Sequence, residues 1–240
     1  MIKSLLFISL APILVVAIYI YIRDKYEKEP LLSLIKALLA GMLIVLPAVF
    51  IEKFLDSLAS EWEGGLGSTF YNGFVVASFT EEGLKYLAFI LFFWTSSNFN
   101  EKFDGIVYAV FISLGFAAIE NLFYVFRGGY NVGLLRALTA VPAHALFGTQ
   151  MGYHLGLARF YPAKRKIQLF LAFLMPLIWH GTYDFILMGH NQYLMVFFIP
   201  LVVFFWISGL RKMNELSKAS VFRNDWEEKS EITEDDNIRS

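Results

Sequence analysis

Glu81 and Glu82 stand side by side in Ser78-Phe79-Thr80-Glu81-Glu82-Gly83-Leu84-Lys85-Tyr86, inside an otherwise apolar run of about residues 69–95 that is long enough to cross a bilayer. Insertion scales put the cost of each ionisable group at mid-membrane at roughly 2.5–3.5 kcal/mol. Leucine would fill such positions without that cost, so the acids are there for chemistry. On a helix Lys85 follows Glu81 by four residues and Glu82 by three, and reaches either one. One acid can then be held as an ion pair while the other keeps a proton affinity set by its surroundings. That division suits acid–base catalysis.

Further polar groups interrupt other apolar runs: Glu120 and Asn121 in Gly115-Phe116-Ala117-Ala118-Ile119-Glu120-Asn121, His144 after Pro142, and His180 with Asp184 in Trp179-His180-Gly181-Thr182-Tyr183-Asp184. His180 and Asp184, four apart, share a helix face. Three reaction classes use such a set. In hydrolysis a glutamate deprotonates water, a histidine orients it or steadies the oxyanion, and a second acid protonates the leaving amine. In metal-assisted hydrolysis His and carboxylates are ligands, but the helical His-Glu-x-x-His signature is absent. Proton-coupled transport also uses intramembrane acids, and it requires a polar path from face to face. The chain has no Cys, which excludes a thiolate nucleophile, and no Gly-x-Ser-x-Gly elbow.

The elements that must position these groups are membrane spans. The 240 residues are 57% hydrophobic and 18% aromatic with only 17% charged, and mean hydropathy is +0.56, a balance that a soluble domain of this size does not reach. Apolar runs mark an all-α bundle of about seven spans, near 4–22, 31–51, 69–95, 104–126, 132–158, 167–188 and 193–210. Residues 1–210 form the membrane domain, and 211–240 a polar, disordered cytoplasmic tail. The first run is too long for a signal-peptide core and reads as a retained span. Arg136 inside the fifth run is expected to snorkel to the surface. Residues 52–68 form an acidic connector with Phe54, Leu58 and Trp62 at four-residue spacing, either a plain loop or a surface helix acting as a lid.

Alternate connectors collect Arg23, Lys25, Lys28, Lys102, Arg159, Lys164, Arg165, Lys166, Arg211, Lys212 and Lys218, whereas the others hold only Lys3, Lys53 and Arg127. This bias places the amino terminus outside and the carboxyl terminus in the cytoplasm. Glu81, Glu82, Glu120, His144, His180 and Asp184 then all fall roughly 6–18 Å below the outer surface, at 1.5 Å of rise per residue. The expectation is one wet pocket that closes at mid-membrane, which favours hydrolysis over transport. Ala140, His144, Gly148, Gly152 and Gly156 recur every four residues, a small-residue ridge that lets a second helix approach. Pro142 and Pro176 are expected to kink their helices and free the carbonyls of Leu138 and Ala172. Net charge of −1 gives no sign of a nucleic-acid partner.

These motifs resemble the PrsW family of bacterial intramembrane proteases, relatives of the CAAX prenyl-protease superfamily. The likeness lies in Glu81-Glu82-x-x-Lys85, Phe116-x-x-x-Glu120-Asn121, His144 and His180-Gly181-x-Tyr183-Asp184. It extends to Asp24-x-Tyr26-x-x-Glu29-Pro30 and Asp104-Gly105-x-x-Tyr108. The resemblance implies a glutamic-type endopeptidase of the bacterial plasma membrane, making the first, extracytoplasmic-side cut in a single-span anti-sigma factor so that a stress-response sigma factor is released. It implies Glu81, Glu82 and His180 as catalytic residues, with Lys85, Glu120, Asn121, His144 and Asp184 in support. Glu81 is then the water-activating base and Glu82 the acid held by Lys85. No cofactor is implied, and a divalent metal such as zinc stays open. A proton-coupled transporter or channel, a metal-dependent hydrolase of the CAAX-protease type, and an inert scaffold that recruits a soluble protease are the alternatives.

Overall fold

A helix apolar on every side has to be surrounded, and residues 103–118 are buried without interruption. In the computed structural model, which describes residues 2–59, 64–189 and 191–224, this stretch is the axis of an all-helical bundle. The helices in chain order are α1 (Ile2–Arg23), α2 (Leu31–Leu43), α3 (Val45–Leu58), α4 (Gly65–Phe70), α5 (Thr80–Phe92), α6 (Lys102–Leu138), α7 (Ala140–Phe160), α8 (Arg165–Met188), α9 (Gln192–Met195) and α10 (Phe198–Lys218). A π-helical stretch, Tyr71–Phe79, joins α4 to α5 without a break. α1, α2 and α7 pack directly on α6, and α8 packs on α7 and on the π-helical stretch.

Large apolar side chains that face outward, such as Phe7, Leu14 and Ile18 on α1 and Ile199, Val203 and Phe204 on α10, make the outer surface fit for lipid. Among the described residues, five stretches are long and apolar enough to cross a membrane: Ile2–Arg23, Leu31–Leu58, Lys102–Phe160, Pro162–Met188 and Gln192–Lys218. Lys102–Phe160 contains two helices, α6 and α7. The continuous helical run from α4 to α5 is outside this set, and it is the one that carries Glu81, Glu82 and Lys85.

The small-residue ridge of α7 behaves as expected. A Cβ on Gly152 would stand 2.2 Å from the Gly105 carbonyl oxygen, and one on Gly156 would stand 2.2 Å from that of Lys102. The two backbones therefore touch, which holds His144 in register with α6.

Several expected boundaries move. The break expected at 127–131 is present, as a sharp turn: α6 is two helical segments that meet at Gly129 (φ 80°), after which the chain doubles back as far as Leu138. Pro142 lies in the first turn of α7, where its missing N–H leaves no helical bond unmade, so it terminates nothing and frees no carbonyl in mid-helix. Pro176 does lie inside α8. α3 runs on to Leu58, so Phe54 and Leu58 sit on a continuing helix, while Trp62 lies outside the described residues. α10 extends through Lys218, and 225–240 of the expected tail lie outside the described residues.

Candidate active site

The acid pair owes its placement to the change of helix type just before it. Each turn of the π-helical stretch Tyr71–Phe79 holds more residues than an α-turn, which rotates the following residues relative to a straight α-helix. The stretch is pinned to α8, where the Ser78 hydroxyl donates to the Leu177 carbonyl at 2.7 Å. Close approach continues along this seam: a Cβ on Gly181 would meet the Phe74 ring at 2.3 Å. With its hydroxyl so engaged, Ser78 serves packing. α5 then begins with Thr80, Glu81 and Glu82 turned into the bundle, and all three are buried.

Lys85 is wholly buried and uses its three N–H groups on three partners: Glu81 Oε2 at 3.0 Å, Glu82 Oε1 at 2.7 Å and His144 Nδ1 at 3.2 Å. An ammonium has no lone pair, so His144 Nδ1 accepts and the imidazole proton sits on Nε2, which donates to Glu120 Oε2 at 2.8 Å. His180 has a carboxylate at each ring nitrogen, Glu82 Oε1 3.0 Å from Nδ1 and Asp184 Oδ2 3.2 Å from Nε2. It satisfies both by donating from both. The two imidazole rings lie 5.5 Å apart, and Phe147 stacks on His180 at 4.9 Å. Glu81, Glu82, Lys85, Glu120, His144, His180 and Asp184 thus form one connected network drawn from four helices. Asn121 joins it through Arg136, whose Nε donates to Asn121 Oδ1 at 2.8 Å.

Arg136 corrects one sequence expectation. Instead of reaching for the surface, its guanidinium pairs with Glu120 Oε2 at 3.0 Å and lies over the Tyr124 ring. The turn at Gly129 makes this possible by returning the chain alongside 120–125. Glu52 is a second residue the sequence placed elsewhere. It sits on α3, half-buried, within electrostatic range of Glu120, Lys85, His180 and Asp184. The expected wet pocket is also revised, because the centre is packed: Glu82 and Lys85 are fully enclosed. Solvent reaches only the rim, where side-chain exposure is 9% for Glu81, 15% for Asp184 and 22% for Glu120.

A network of acids, imidazoles and one ammonium inside an apolar bundle is peptidase-like, and comparison with known proteins decides it. The profile of the family described as PrsW family intramembrane metalloprotease matches residues 29–208. The chain belongs to the PrsW family. It is 37% identical over 218 residues to a protease PrsW of Oceanobacillus iheyensis, covering 91% of this chain and 98% of that one. It is also 34% identical over 216 residues to protease PrsW of Bacillus subtilis, covering 90% and 96%. A PrsW of Clostridioides difficile is 37% identical over 218 residues, 88% and 91% of the two chains. No solved structure matches. The protein is a peptidase and a multi-pass membrane protein, as the sequence motifs implied.

The family's description as metalloproteases raises the question of which residues of this PrsW-family chain could hold an ion. Glu81, Glu82 and His144 each offer a ligand atom, all within 4.8 Å of one another. Lys85 Nζ already binds one atom of each of these three residues, Glu81 Oε2, Glu82 Oε1 and His144 Nδ1. At an effective dielectric of about 20, a divalent ion within ~4 Å of that ammonium would meet roughly 8 kcal/mol of repulsion. With Lys85 in place the donor set does not fit a divalent metal, because its cation is built in.

Proposed function

We propose that the chain cuts a single-span anti-sigma factor on the extracytoplasmic side, with water activated by Glu81, and that this first cut leads to release of a stress-response sigma factor. The membrane is the bacterial plasma membrane, crossed seven times with the amino terminus outside and the carboxyl terminus in the cytoplasm. The distribution of Lys and Arg supports that orientation. So does the position of the network along the helices: His144 lies about 6 Å from the start of α7 and His180 about 12 Å from the end of α8, both remote from Arg159 and Arg165.

The observation that carries the catalytic reading is the unequal treatment of the two glutamates. Glu82 is locked, one oxygen accepting from both Lys85 and His180 and the other sealed without a partner. Glu81 commits Oε2 to Lys85 and keeps the pair's only exposure. Glu81 therefore takes the proton from water as the water oxygen attacks the peptide carbonyl carbon. The developing oxyanion is steadied by the positive charges of His180 and Lys85, whose N–H groups stay on the site's carboxylates. Glu81 then returns the proton to the leaving nitrogen as the C–N bond breaks. His144 and Glu120, braced by Arg136 and Asn121, hold Lys85 in place, and Asp184 fixes the His180 ring.

Reconstitution of the purified protein with a single-span anti-sigma substrate tests this. Glu81→Gln should lower cleavage by at least ~10²-fold, the usual scale of a lost general base, with the protein still folded. Cleavage at the wild-type rate by Glu81→Gln refutes the assignment. Treatment with 1,10-phenanthroline, which strips zinc, should leave the rate unchanged.

A further inference from the structure

The motifs Asp24-x-Tyr26-x-x-Glu29-Pro30 and Asp104-Gly105-x-x-Tyr108 have no part in the peptidase network. Asp104 precedes Glu120 by sixteen residues on α6, about 24 Å along the helix. There Asp24, Glu29, Glu101 and Asp104 are all at least 97% buried. One oxygen each from Asp24, Glu101 and Asp104 lies within 4.8 Å of the others, and the same holds for Glu27, Glu29 and Asp104. Asp104 is common to both sets.

Several of the oxygens in this cluster have donors. Asp24 Oδ2 accepts the Glu29 backbone N–H at 3.1 Å, and Asp104 Oδ2 accepts those of Asn100 and Glu101 at 2.8 and 2.7 Å. Glu29 Oε2 accepts the Tyr108 hydroxyl, and Glu101 Oε2 the Ser220 hydroxyl at 2.5 Å. Four do not: Asp24 Oδ1, Glu29 Oε1, Asp104 Oδ1 and Glu27 Oε2 are sealed from solvent with no donor. The Glu29 and Asp104 carboxyls lie within hydrogen-bond reach of each other, so that without a shared proton or a cation acceptor faces acceptor. Lys28 acts on Asp24 through its charge alone and donates to none of these oxygens. Its ammonium caps α1 by donating to the Tyr21 and Ile22 carbonyls.

We propose that this cluster is a binding site for a divalent cation of the hard, oxygen-liganded class. A buried carboxylate oxygen without a donor is costly, and several converging ones need a positive charge at their centre. No nitrogen or sulfur ligand belongs to the set, which points away from zinc and copper and toward calcium or magnesium. The oxygens of each set lie within 4.8 Å of one another, close enough to converge on a single ion. The ligands come from the α1–α2 connector and the start of α6, and Glu101 extends the link to Ser220 beyond α10. A bound ion therefore clamps three chain segments at the end of the bundle remote from the peptidase site.

The test uses the full chain in detergent, stripped with EDTA and titrated with calcium and with magnesium by calorimetry, with bound metal counted by mass spectrometry. Wild type should bind one ion per chain, and Glu81→Gln should bind it equally. Asp24→Asn, whose amide oxygen still accepts the Glu29 N–H, should bind at least ten-fold more weakly. No bound ion at millimolar concentration would mean that the acids share protons instead, and would overturn the proposal. So would unchanged affinity in Asp24→Asn, or loss of the ion in Glu81→Gln, which would assign it to the peptidase site. The wild-type and Glu81→Gln measurements decide the matter even if Asp24→Asn does not fold.

Discussion

Replacing Lys85 by Met removes the one charge on which the peptidase site is centred and nearly preserves its length. At about 3 Å and an effective dielectric of about 20, each glutamate draws roughly 5 kcal/mol of attraction from the ammonium, set against the cost of burying all three charges. Truncating one partner of a buried pair typically costs about 3–5 kcal/mol net, because the abandoned charge stays buried. Two glutamates and the His144 Nδ1 lone pair are abandoned here. Lys85→Met should therefore lower the melting temperature sharply in detergent and reduce cleavage by at least ~10²-fold. The double variant Lys85→Met/Glu82→Gln, which takes one abandoned charge away, should recover part of the melting temperature and none of the activity. Scanning fluorimetry and a gel assay on the reconstituted substrate read the two quantities separately. If Lys85→Met melts and cleaves like wild type, the ammonium does not organise the site and the account of Glu81 and Glu82 fails. If it instead gains zinc-dependent cleavage, the donor set is a metal site in which Lys85 merely stands in.

Arg136→Gln should leave the fold intact but loosen Glu120 and, through His144, Lys85; kcat is expected to fall about ten-fold with KM little changed, measured by initial rates. Gly152→Val drives a side chain into the Gly105 carbonyl, and should abolish recovery of folded protein on size-exclusion chromatography. With cation removed by EDTA, stability should fall as pH rises. Burial pushes the Asp24 and Glu29 carboxyls up to about 7, whereas unfolded acids titrate near 4, so between those values the folded chain holds more protons than the unfolded one. A melting temperature higher at pH 5.5 than at pH 8, with calcium removing the difference, is the expected result. A flat profile in EDTA counts against it.

The chemistry of this protein was legible in its sequence because a membrane makes each polar residue expensive. Glu81, Glu82, Glu120, His144, His180 and Asp184 stand out only against apolar runs, and the structure joins all of them in one network. The small-residue ridge of α7 was legible for a related reason: backbones can touch only where side chains are missing. Hydropathy marked the break between the fourth and fifth runs, where Gly129 reverses the chain by one left-handed residue. It could not show that the returning segment lies along the end of the fourth run, so Arg136 looked like a surface residue, although tertiary structure folds it onto Glu120. The sharing of Lys85 between both acids and His144 was equally out of reach, because it depends on the rotation set by the π-helical stretch. Sequence alone determined which groups had to be hidden from lipid. Which oxygen stayed free was left to the angles between helices, and a linear pattern carries no record of those angles.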